Sequence, residues 1–85
     1  MIPHPGDTLP NGRTLVAIRP IRKARPDEEG NLYAVLCLNA ELDHGAPYAV
    51  WVYVDGSRMP PPRMTHEAYF ASFDHAIADW KERSL

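Results

Sequence analysis

"PYAVWVYVDG", residues 47–56, sets seven consecutive apolar side chains, Tyr48 to Val54, between a proline and an Asp-Gly turn. A strand with one face on a core and the other in water alternates apolar and polar residues. This stretch does not alternate, and neither does "LYAVLCL", residues 32–38. The fold therefore turns on what covers the second face of these two strands.

An 85-residue chain makes one domain, residues 1–85, with a thin core. It can hold one sheet and one helix. With 45% apolar and 24% charged residues the composition is that of an ordinary globular domain. The single cysteine, Cys37, excludes an intrachain disulfide. Flanked by Leu36 and Leu38, it reads as a small buried hydrophobe, and a reducing cytoplasm is the expected location. "MIPHPGDTLPNG" at the start has neither the basic nor the apolar region of a signal peptide. No apolar run approaches the length of a membrane span, so no membrane partner is expected.

Outward from residues 47–56, the chain divides by its turn residues. Residues 1–13, with Pro3, Pro5, Pro10, Gly6 and Gly12, predict an irregular arm. "RTLVAIRPI" predicts a first strand, and Pro20 marks it as an edge strand or a bulged one. Residues 32–38 and 48–54 are the second and third strands. "RMPPPRM" cannot be helix interior and reads as a short extended polyproline stretch. "THEAYFASFDHAIADWKERSL" has two readings. In one, a single helix capped by Thr65 aligns Tyr69, Phe73, Ile77 and Trp80. In the other, a fourth strand ends at Phe70 and Ser72 caps a helix over 72–84, with Asp74 in its first turn and Lys81 and Arg83 in its last. The fold class is α+β: an antiparallel sheet of three to four strands over 14–70, with one C-terminal helix on one face.

Strict alternation places Leu32, Ala34, Leu36, Leu38, Tyr48, Val50, Val52 and Val54 on the face that receives the helix. Tyr33, Val35, Trp51 and Tyr53 share the other face, with Arg19 and Arg22 at its rim. One helix covers one face, so this second face is expected to lie open. An open apolar face with an aromatic centre marks an interaction surface, and Tyr, Trp and Arg are the residue types that anchor one. The expected partner-binding residues are Arg19, Arg22, Tyr33, Val35, Trp51 and Tyr53.

Chemistry gives little else. His4, His44, His66 and His75 are scattered, without the spacing a metal site requires, so no metal or other cofactor is expected. Cys37 lacks the electropositive, accessible setting of a reactive thiol. Asp43-His44 and Asp74-His75 are neighbours in sequence, which do not face each other on a helix. The five glycines stand singly and make no phosphate loop. No catalytic residues are assigned. Residues 1–25 carry five basic groups, Arg13, Arg19, Arg22, Lys23 and Arg25, against Asp7 alone. Residues 26–85 carry four basic and ten acidic groups. The basic segment 13–25 and the sheet aromatics define a second reading, a homodimeric regulator that binds nucleic acid. The acidic remainder opposes it.

Residues 47–84 carry a pattern: Val50-Trp51 in a strand, Gly56 in a turn, Tyr69-Phe70 closing a strand, then Ser72, Phe73, Asp74, Ala76, Ile77, Asp79, Trp80 and Arg83. This resembles small proteins encoded by bacteriophages of high-GC bacteria. The resemblance favours the fourth strand and the helix behind Ser72. It implies a phage or mobile-element protein in the host cytoplasm that occupies a host protein, as anti-CRISPR inhibitors of defence complexes do. It carries over no catalytic residue.

Overall fold

The computed structural model describes residues 2–9, 12–23, 30–38, 47–56 and 63–84. They form strands β1 (Thr14–Arg22), β2 (Asn31–Leu38), β3 (Tyr48–Asp55) and β4 (Arg63–Phe70) and helix α1 (Phe73–Glu82). The strands make one antiparallel sheet in the order β1-β2-β3-β4, with α1 on one face. The architecture is α+β, and "AYF" closes a strand rather than opening a helix. Arg25, His44 and the three prolines Pro60–Pro62 lie outside the described residues.

The missing alternation follows from position. β2 and β3 are the two central strands, and Ala34, Val35, Leu36, Cys37, Ala49, Val50 and Val52 are all fully buried. On the helix side, Leu36, Val50 and Ala76 form the centre, surrounded by Ala17, Tyr48, Phe70, Ile77 and Trp80. Ala76, Ile77 and Trp80 recur at helical spacing, which lays one stripe of α1 on the sheet. Ser72 holds the N-cap position with an extended backbone, and its carbonyl accepts the Ala76 N–H at 3.1 Å. Its hydroxyl makes no capping bond, contrary to the role expected of it. Asp74 and Lys81 sit in the first and last turns, as the helix dipole favours.

The second face departs from expectation. It holds its own buried cluster of Leu9, Leu15, Val35, Cys37 and Tyr53, with Ile18, Tyr33, Trp51 and Met64 packed against it. Cover comes from the N-terminal arm, through Leu9, and from long side chains at the sheet's edges. No second helix is needed.

Two bulges in β1 decide which side chains reach this face. Leu15 pairs with Cys37 but Ala17 pairs with Leu36, so Val16 is an extra residue. A bulge resets the alternation behind it. Leu15 and Ile18 therefore join the Val35 side, while Ala17 and Arg19 join the helix side. The second bulge lies between Pro20 and Arg22, where the proline foretold one. β4 bulges too: Val50 pairs with Ala68 and Val52 with Thr65, so His66 and Glu67 stand opposite Trp51. His66 adopts φ 57, the left-handed region.

Candidate functional site

The exposed part of the second face centres on Tyr69. Tyr69 pairs with Ala49, which pairs with Cys37, which pairs with Leu15, so one row crosses the sheet. The two middle members are small. Tyr69 belongs to one edge strand, and Arg13 immediately precedes the other. Three strand spacings separate those edges, about 14 Å. The Arg13 guanidinium nevertheless lies 5.2 Å from the centre of the Tyr69 ring. Both side chains must lean inward, above Cys37 and Ala49, and both of those are fully buried. Trp51 meets Tyr69 edge-to-face, with ring centres 6.3 Å apart at 87°. Tyr69 remains 48% exposed. A guanidinium, a phenol and an indole thus share one surface, the two rings carried by paired strands.

The six residues expected to bind a partner do not share one surface. Tyr33 and Trp51 are half-buried on the second face. Val35 is fully buried and Tyr53 only 4% exposed, so both are the floor of that face rather than its surface. Burial first, and the Asp55 carboxylate second, push the Tyr53 phenol above its ordinary 10.0. Arg22 pairs with Leu32 at the end of β1, beyond the second bulge.

Arg19 corrects the expectation most clearly. The bulge at Val16 turns it to the helix side. There its Nε donates to the Trp80 carbonyl at 2.8 Å and its Nη2 to the Arg83 carbonyl. Its guanidinium lies 5.7 Å from the Trp80 ring centre. The last carbonyls of a helix lack intrahelical donors, and Arg19 supplies them from a neighbouring strand. Trp80 in turn donates its indole N–H to the Ala34 carbonyl at 2.9 Å. Arg83 continues the chain of contacts, bonding Asp79 Oδ2 at 2.6 Å and the His66 carbonyl at the β4 bulge. Arg19 therefore fastens α1 to β1 and is withdrawn from the basic segment 13–25 as a phosphate ligand.

Sequence reasoning missed Arg13 and Tyr69. Tyr69 had a signal, since it sits in the "AYF" strand end with alternation placing it opposite Phe70. Arg13 had none, because its meeting with Tyr69 depends on the order of all four strands.

Other features carry less chemistry. An open groove of about 520 Å³ between the β4 bulge and the end of α1 is lined by His66, Glu67, Asp79, Glu82, Arg83 and Ser84. Among the described residues no group of His, Cys, Asp and Glu side chains could hold a metal ion. Cys37 is a fully buried thiol. No described helix is long and apolar enough to cross a membrane. No protein-family model, no curated protein and no solved structure matches the chain.

Proposed function

We propose that this protein is a non-catalytic binding module that docks a host protein on the Tyr69–Trp51–Arg13 surface and acts by steric occlusion. The observation that carries the reading is Tyr69 itself: 48% exposed on a face whose cluster side chains are buried or half-buried, edge-on to Trp51 and beneath the Arg13 guanidinium. Tyr, Trp and Arg dominate the energetic centres of protein interfaces, because they bury large area at low entropic cost and keep a polar handle. The likeness of residues 47–84 to small phage proteins supports a host protein as the partner and a defence complex as its class.

Tyr69→Asp tests the reading better than any change at Trp51, whose indole packs against the buried cluster. Partners are captured from the host cell with the wild-type protein and with the variant, and identified by mass spectrometry. A partner recovered by wild type and lost with correctly folded Tyr69→Asp is the expected result. Equal recovery by both would sink the proposal. Sedimentation at micromolar concentration distinguishes self-association, the homodimer reading, from a surface reserved for another protein. Salt-sensitive binding to an oligonucleotide would instead favour the nucleic-acid reading.

A further inference from the structure

Residues 2–9 run beside the start of β1, outside the four-stranded ladder. Their attachment is narrow. Thr8 forms one isolated bridge with Thr14. Gly6 N–H donates to the Leu15 carbonyl at 2.8 Å, Leu15 N–H to the Asp7 carbonyl at 2.9 Å, and Leu9 N–H to the Arg13 carbonyl at 2.8 Å. Gly12 N–H donates back to the Leu9 carbonyl at 2.9 Å. Only Leu9 is buried, at 3% exposure; the rest of the segment is exposed or half-buried. That one side chain belongs to the cluster with Leu15, Val35, Cys37 and Tyr53.

Two glycines shape the bends of this segment. Gly6 and Gly12 have φ 97 and 82. A Cβ at either would meet no atom within 4 Å, so neither glycine is there to make room. Both serve a left-handed backbone that other residues resist. Among the described residues, a segment with one buried apolar anchor and exposed backbone bonds that reach only the start of β1 has the traits of a unit that opens below the global unfolding free energy. β2 and β3, bonded on both edges and buried on both faces, have the opposite traits.

We propose that residues 2–9 are a releasable strap: the segment lifts from the start of β1, withdraws Leu9 and uncovers Leu15 and the β1 side of Cys37 while β2, β3, β4 and α1 stay folded. The strap goes beyond the binding reading and stands without it. If both hold, opening extends the apolar surface from Tyr69 and Trp51 along the row toward β1.

Cys37 is the natural reporter, since it is the chain's one thiol and pairs with Leu15. Full-length protein is treated with iodoacetamide across a series of low urea concentrations, and alkylation is followed by mass spectrometry. The expected labelling rate is nearly independent of urea, because a local opening exposes little surface. Leu9→Ala is expected to raise it by at least roughly 30-fold, the lower end of what a buried leucine truncation implies. Hydrogen exchange of the unmodified protein gives a second readout. The amides of Gly6, Leu9, Gly12 and Leu15 should exchange together, far ahead of those in β2 and β3. Labelling that climbs with urea at the full slope of global unfolding would overturn the strap. So would arm amides protected as strongly as the central strands. Should Leu9→Ala fail to fold, the exchange pattern of the wild type decides alone.

Discussion

Arg19 shows how one guanidinium can serve a fold rather than a ligand. Its fork reaches two carbonyls at the end of α1 and its plane lies near the Trp80 ring. Arg19→Met keeps the stem and loses both bonds, and should cost about 2 kcal/mol in urea denaturation. Arg19→Lys should recover less than half of that, since an ammonium cannot match the forked geometry. The two tryptophans offer a paired test. Trp80 donates to Ala34, whereas the enclosed Nε1 of Trp51 has no acceptor among the described residues. Trp80→Phe therefore breaks a bond and leaves a carbonyl short, while Trp51→Phe breaks none. The first should be the more destabilising by about 1 kcal/mol, measured by the same denaturation. Tyr53 adds a pH dependence. Its phenol is raised above 10.0 by burial and then by Asp55. Below pH 10 both folded and unfolded chains keep this proton. Above it the unfolded chain releases the proton first, so stability falls as pH rises toward the folded value. Tyr53→Phe should remove that component of the alkaline loss.

Among the elements, β4 and α1 hold each other through the bulge. His66 occupies the left-handed region, and Arg83 binds its backbone carbonyl rather than its ring. Glycine should therefore serve at this position. His66→Gly is expected to lie between neutral and about 1 kcal/mol stabilising, because relief of the left-handed strain outweighs the added freedom of the unfolded chain. His66→Val should destabilise by more than 1 kcal/mol, roughly, since a β-branched residue resists positive φ. Thermal denaturation of the two variants distinguishes them. The elements were largely legible in the sequence. Apolar runs gave β2 and β3, the stripe of Ala76, Ile77 and Trp80 gave the helix, and Pro20 gave an edge strand with a bulge. The bulge at Val16 was not legible. It involves no glycine or proline, and it reverses the sides of Ala17, Ile18 and Arg19 relative to strict alternation. Local propensity does not fix such a register shift; the fit of β1 against β2 does.

At the scale of the molecule, the second face proves smaller as a surface than its composition implied. Leu9, Tyr69, Trp51 and Arg13 cover the small residues beneath them, leaving Tyr69 as the exposed centre. Tyr69→Asp should leave the fold intact at a cost of about 1–2 kcal/mol, from the lost contacts with Trp51 and Arg13. Circular dichroism and urea denaturation check this before any binding comparison. Trp51→Asp, by contrast, would place a carboxylate against the buried cluster and should unfold much of the population.

By itself the sequence determined the fold class, the positions of the first three strands and the burial of Cys37, and it favoured a fourth strand with a helix behind Ser72. Each follows from runs and spacings within ten or so neighbouring residues. The tertiary structure alone decided what covers the second face and which arginines lie near it. Those outcomes depend on residues distant in the chain, Leu9 with Val35, Arg13 with Tyr69 and Arg19 with Trp80, brought together only when sheet order, bulges and arm are all in place.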